Sequence, residues 1–144
     1  MNQGAFTLIE LLITIAIIGI LGALLIPGLL GAQRRSYDAG AQTCAKSIQT
    51  VQAISQLDNR KFLFIGPASN DINRNSDSIN ANCLISSVFF NDRSDYSTVD
   101  SRYIIDVWGK HGSKVFTITP EAFSANTVGA TSFSSTGAVG TNLP

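Results

Sequence analysis

The sequence predicts an α+β fold in which one long N-terminal helix packs on a small antiparallel β-sheet. Three observations lead to this prediction. Apolar residues fill positions 5 to 30 almost without interruption, and a helical repeat of apolar residues continues to about residue 57. The second half then alternates short β-branched and aromatic segments with polar or glycine-containing turns. The predicted order is therefore one helix followed by a meander of strands.

The apolar segment is long enough to span a bilayer. No charged residue lies between Glu10 and Arg34, and about 20 apolar residues suffice for a transmembrane helix. A secretory signal would have basic residues in front and a small-residue cleavage site behind. The first five residues, "MNQGA", contain no Lys or Arg, and no A-x-A sequence precedes Arg34. We therefore interpret residues 6–33 as a retained membrane helix.

The helical pattern continues beyond the apolar segment. Apolar side chains recur with the spacing of one helix face at Tyr37, Ala41, Cys44, Ile48, Val51 and Ile54. We predict one continuous helix from about Phe6 to Leu57. Pro27 lacks a backbone N–H, which predicts a kink or local unwinding near residues 23–28.

The second half predicts a small sheet that the amphipathic part of the helix covers on one face. We expect strands at residues 83–90, 102–107, 114–119 and 130–136, with a hairpin turn at 109–112. Residues rich in Asn, Asp, Ser or Pro predict loops at 66–82, 91–101 and 120–126. The tail from residue 137 offers few side chains that would anchor it.

Charge and cysteine content give partial information on the compartment. The 10 basic and 10 acidic residues balance, so net charge indicates no nucleic-acid partner. Arg34 and Arg35 follow the apolar segment, and the positive-inside rule alone would keep the following domain in the cytoplasm. Cys44 and Cys83 argue the opposite, because an even pair suits a disulfide in an oxidising compartment. Two unpaired buried cysteines are the alternative.

The start of the chain resembles the class III signal of type IV prepilins. The resemblance rests on "FTLIELL" at residues 6–12, with the small residue Ala5 before it, Glu10 within it and Pro27 further along. It covers residues 4 to about 57 and implies that prepilin peptidase cuts between Ala5 and Phe6 and methylates the Phe6 amine. Residues 1–5 would be the leader. Residues 6–33 would be a hydrophobic helix, transmembrane before assembly and filament core afterwards, and residues 34–144 the globular head.

The resemblance also assigns roles in assembly, to Phe6, Glu10, Gly19 and Pro27. In this family the fifth mature residue, here Glu10, is linked to the N-terminal amine of its own or a neighbouring subunit. A nearby cation and the helix N-terminus would both stabilise its carboxylate. The alternative is that Glu10 lies at the bilayer interface. Small residues at Gly19-x-x-x-Ala23 permit close helix packing, or are ordinary membrane-helix residues.

Two features depart from the family pattern. Ala5 stands where the family usually has Gly, and the leader lacks the usual Lys or Arg.

By this resemblance the chain is a structural subunit of a type IV pilus, serving adhesion, twitching motility or DNA uptake. Its partners would be other copies of itself, prepilin peptidase, the inner-membrane assembly platform, minor pilins, the membrane before assembly and, where uptake is served, DNA. The precursor would lie in the inner membrane and the product in an extracellular filament. Two alternatives stay open: a pseudopilin of type II secretion, and a membrane-anchored binding domain that never polymerises.

The residues do not predict catalysis, a metal or a cofactor. His111 is the single histidine and falls in the predicted turn, so no triad or metal set forms around it from the sequence. Asp71-x-Asn73-x-Asn75 is similar to the start of a calcium loop. Ser76 replaces the glycine that such a loop requires, and Asn82 replaces its bidentate glutamate. A solvated loop is the better interpretation.

Overall fold

The structure, a computed structural model, describes residues 6–95, 97, 101–127 and 140–144. It confirms the predicted α+β class. In chain order the elements are the helix α1 (Leu8–Asn59), a short 3-10 helix (Ala81–Cys83), and the strands β1 (Val88–Asp92), β2 (Ile105–Gly109), β3 (Lys114–Ile118) and β4 (Phe123–Thr127). The chain divides into two compact units, Met1–Gln33 and Arg34–Pro144.

The first unit is the N-terminal part of α1. By length and composition, α1 is the one helix among the described residues that could cross a membrane, and its apolar window is unburied. The helix is uninterrupted through Pro27, so the predicted local unwinding at residues 23–28 is wrong. A proline removes only one helical hydrogen bond, and the surrounding leucine and isoleucine residues sustain the others. A bend at Pro27 stays a prediction.

The second unit contains the rest of α1, which buries one face. The buried residues are Asp38, Ala41, Cys44, Ala45, Ile48, Val51, Gln52 and Ser55. The predicted apolar stripe is correct from Ala41 to Val51 and wrong at Ile54, which is 42% exposed. Gln52 and Ser55 continue the buried face because their side chains bind the backbone of Leu63 and Lys61.

The four strands form one antiparallel sheet in the order β1-β2-β3-β4. β1 begins later than predicted because residues 81–83 form a 3-10 helix that Asn80 caps, and β2 begins at Ile105 rather than at residue 102. The loop predicted at residues 120–126 is wrong, because most of β4 lies there. A turn in which Thr119 N donates to Ala122 O lets Ile118 pair with Phe123. The strand predicted at residues 130–136 lies outside the described residues.

The main core lies between α1 and one face of the sheet. It contains Cys44 and Cys83, which are joined by a disulfide with 5.0 Å between their Cα atoms. The apolar side chains around it include Ile48, Val107 and Phe116. A smaller cluster of Trp108, Val115 and Phe89 lies apart from this core. Helix, sheet and disulfide therefore stabilise one another within the second unit.

The described end of the chain, residues 140–144, is well anchored, contrary to the prediction. Thr141 pairs with Phe90 in an antiparallel bridge, and Leu143 is buried. The Asn142 side-chain amide donates to Val88 O at 2.8 Å, and Arg74 N donates to Pro144 O at 3.0 Å. Most of these bonds involve backbone groups, which composition does not reveal.

Candidate assembly site

Thr7 and Glu10 form a reciprocal cap at the start of α1. Thr7 donates to Glu10 Oε2 from its hydroxyl at 2.7 Å and from its backbone N–H at 2.9 Å. In return, Glu10 N donates to Thr7 Oγ1 at 3.3 Å. This is a capping box, in which two side chains satisfy backbone N–H groups that the first helical turn leaves unpaired. The sequence singled out Glu10 and missed Thr7, although the T-x-x-E spacing before an apolar run could have revealed it.

The cap leaves Glu10 able to bind a cation. Both bonds from Thr7 end on Oε2, and an ionised carboxylate has about four acceptor positions. An ammonium group would therefore add to the Thr7 bonds without displacing them. Phe6 is 79% exposed and lies four residues before Glu10, while Ala5 lies outside the described residues. The cleavage between Ala5 and Phe6 thus stays a prediction.

The apolar side chains that follow are unpartnered within the first unit. Each of the large ones is more than half exposed: Leu8, Ile9, Leu11, Leu12, Ile13, Ile15, Ile17, Ile18, Ile20, Leu21, Leu24, Leu25, Ile26, Leu29 and Leu30. A contiguous apolar surface of this extent marks a site that contacts lipid or other protein. The segment therefore has the surface of a membrane span or of a helix that packs among others.

The glycines of this segment have no steric reason within the chain. A Cβ atom added at Gly19, Gly22, Gly28 or Gly31 would meet nothing within 4 Å. Each glycine nevertheless weakens a helix by about 1 kcal/mol relative to alanine. The roles assigned to Gly19 and Pro27 in assembly are not tested by these contacts and stay predictions.

Asp38 is a buried polar residue that the sequence analysis missed. It is 8% exposed, and its carboxylate accepts bonds from Ser113 N at 2.8 Å, Ser113 Oγ at 2.6 Å and Lys114 N at 3.0 Å. A Cβ at Gly112 would clash with this carboxylate, so glycine is needed there. Asp38 lies three residues before Ala41 on the apolar stripe. An acidic residue at a helical spacing from buried apolar residues could have indicated that Asp38 is buried and hydrogen-bonded.

The loop that is similar to a calcium site uses its polar groups internally. Asp71 Oδ2 accepts from Ala68 N at 3.3 Å, and Asn73 Oδ1 accepts from Asn75 N at 2.9 Å. In the described part of the chain no group of three or more His, Cys, Asp or Glu side chains could hold a metal ion. These side chains thus shape a turn.

The N-terminal part of the chain is similar to known proteins. The family described as "Prokaryotic N-terminal methylation motif" matches residues 1–26. The chain is also 46% identical over 61 residues to the type IV wide pilus major component PilA4 of Thermus thermophilus, across 42% of this chain and 47% of that protein. It is 51% identical over 51 residues to the type IV major pilin protein PilA of Myxococcus xanthus, across 35% and 23% respectively.

These matches support a type IV pilin. Type IV pilins are structural proteins rather than enzymes. The long N-terminal helix and the small antiparallel sheet of this chain form a pilin-like fold. The chain spans less than half the length of the curated relatives it matches.

Proposed function

We propose that this pilin is a structural subunit of a type IV pilus, polymerised through the N-terminal part of α1. The observation that carries the proposal is the exposed apolar surface of residues 8–30, which begins directly at the Thr7–Glu10 cap. Lipid would cover this surface in the inner-membrane precursor, and the same segment of other copies would cover it in the extracellular filament. The small residues on it would allow those helices to approach closely.

Glu10 would set the position of one subunit against the next. Cleavage between Ala5 and Phe6 would create an amine, methylated at Phe6, that can bind the unused acceptor positions of Glu10. An unpaired carboxylate among apolar helices is costly, and a neighbouring ammonium relieves that cost. Only a packing register that brings the amine to Glu10 would then be stable. Gly19 would contribute close packing, and Pro27 a change of helix direction.

The partners follow from this assembly route. Prepilin peptidase would process the precursor, and an inner-membrane platform with minor pilins would begin the filament. Adhesion, twitching motility and DNA uptake are the functions that such a filament would serve.

The test is to shear surface filaments from cells that express the protein and to examine them by electron microscopy and mass spectrometry. We expect filaments whose N-terminal peptide begins with N-methylated Phe6. A processed chain that is found in the membrane and is absent from all filaments would contradict the proposal and favour a membrane-anchored binding domain. Filaments that appear only together with active type II secretion would favour a pseudopilin.

A further inference from the structure

Four exposed cations lie where the apolar segment joins the head. Arg34 and Arg35 are the first two residues of the second unit. Lys110 and Lys114 lie on the hairpin that connects β2 with β3. We call these four residues the basic collar.

The hairpin is held firmly against the beginning of the head's helix. Asp38 accepts its three hydrogen bonds from Ser113 and Lys114, and a Cβ at Gly109 would lie only 2.6 Å from Tyr37 O. The rings of Tyr37 and His111 also meet edge to face, 5.9 Å apart. Asp38 follows Arg34 by four residues, which is about 6 Å of helix rise. The hairpin is thus fixed within about one helical turn of Arg34.

The collar has a net positive charge that the described residues leave unneutralised. Within the described ranges, the one ion pair joins Arg93 to Asp106. The buried acid beside the collar, Asp38, directs its carboxylate to the hairpin's own N–H and hydroxyl groups. The four cations therefore remain available to an external anion.

A groove beside the collar is lined by two of its four cations. It has a volume of about 430 Å³, and its lining includes Arg35, Lys114 and the buried Asp38. Asp38 already accepts from the Ser113 hydroxyl and from two backbone N–H groups, so the two exposed cations are the groups that an external anion would contact. The exposed cations are therefore complementary to an anionic surface.

We propose that the basic collar binds anionic phospholipid headgroups of the leaflet next to the head through its four exposed cations. The headgroup layer on each side of a bilayer is about 5–7 Å thick, which matches the single helical turn that separates Arg34 from Asp38. Arg34 and Arg35 directly follow the apolar segment in α1, so they would lie in this layer when that segment spans a bilayer. The inference rests on the membrane-anchored stage of the proposed function.

This binding would explain why Arg34 and Arg35 follow the apolar segment, although the positive-inside rule would place them in the cytoplasm. They would hold the head at an anionic membrane surface, where each cation adds about fivefold in affinity. A subunit leaving the membrane for a filament would have to break these contacts.

The test uses the full chain in phosphatidylcholine nanodiscs that contain a small amount of spin-labelled phosphatidylglycerol or spin-labelled phosphatidylcholine. The motionally restricted fraction of each probe gives the relative affinity for the anionic lipid. We expect the Arg35→Gln/Lys114→Gln variant to lose that preference by roughly tenfold or more. The Arg60→Gln/Lys61→Gln variant removes the same charge at the other end of the head's helix and should keep the preference.

Equal preference in the wild type and the collar variant would overturn the proposal. So would a collar variant that keeps its lipid preference and loses filament yield, since the collar would then contact a neighbouring pilin. Arg34→Gln/Lys110→Gln provides a second collar variant, and near-ultraviolet circular dichroism of Trp108 verifies that each head is folded. The lipid measurement uses no filament. If only the pilus proposal fails, the wild type will prefer the anionic lipid and yet form no filaments.

Discussion

Thr7 and Glu10 show how two single residues complete the start of a helix. The cap satisfies backbone N–H groups that lipid would leave without a hydrogen-bond partner, and it keeps one side of the Glu10 carboxylate engaged. The role of Glu10 was predicted from a family resemblance. The role of Thr7 could have been predicted from helix-capping chemistry, but it was overlooked. Asp38 was overlooked for a related reason, since its partners lie about 75 residues away along the chain.

Removing the Thr7 hydroxyl should weaken the cap and reduce assembly. We expect Thr7→Val to lower the stability of the first helical turn by about 1 kcal/mol and to reduce filament yield. Glu10→Ala should reduce filament yield at least tenfold, because the carboxylate is lost altogether. Immunoblots of sheared and cell-associated fractions measure the yield, and the size of the cell-associated band reports processing.

Thr14→Val is the matched control for this experiment. Its hydroxyl only donates to Leu11 O within the same helix, at 2.7 Å, so the variant should assemble normally. Equal losses for Thr7→Val and Thr14→Val would show that the cap has no particular role.

At the scale of elements, periodicity predicted the helix better than the sheet. Apolar spacing carries α1 almost to its observed end, because a helix face is local in sequence. β4 escaped prediction because "FSANT" has few β-branched residues. That strand exists through its pairing with β3, which the local sequence does not encode. Pairings of this kind need the whole fold.

The disulfide links two elements that the sequence could place only separately. Cys44 on α1 and Cys83 after the loop are 39 residues apart in sequence. Closing a loop of this length stabilises the folded head by about 4 kcal/mol in the chain-entropy estimate. We expect Cys44→Ala/Cys83→Ala to lower the melting temperature of the full chain in detergent by roughly 10 °C or more.

A reducing agent provides the control, because it can break the disulfide of the wild type and has no disulfide to break in the variant. Dithiothreitol should lower the melting temperature of the wild type and leave the variant unchanged. A wild type that melts at the same temperature with and without reductant, once mass spectrometry shows its thiols to be free, would contradict a stabilising bridge.

At the scale of the whole head, one core holds helix, loop and sheet together. The ionisation of Tyr103 depends on whether this core is folded. Tyr103 is buried and meets Phe62 edge to face, with 4.9 Å between ring centroids. Burial, and secondarily the negative charge of Glu121, raises the pKa of Tyr103 to about 12. Its ionised form is therefore unfavourable inside the folded head.

This raised pKa predicts loss of stability in alkali. An unfolded tyrosine ionises near pH 10, so the unfolded state releases its proton first as the pH rises. The contribution of Tyr103 to stability is complete below about pH 10 and is lost progressively up to about pH 12. Urea unfolding of the full chain between pH 8 and pH 12 should show this decline.

Tyr103→Phe separates this effect from general alkaline damage. The variant keeps the ring and removes the ionising group, so its stability should fall less between pH 10 and pH 12. Identical slopes for the two proteins would show that Tyr103 does not ionise on unfolding in this range.

The pairing of residues 140–144 with β1 bears on how copies of the protein avoid incorrect association. Phe90 N and O bond to Thr141, and Val88 O accepts from Asn142, so these backbone groups of an outer strand are already occupied. Unpaired strand edges invite edge-to-edge aggregation between identical chains. At high local concentration, the β1 side of each head therefore resists amyloid-like joining to other copies.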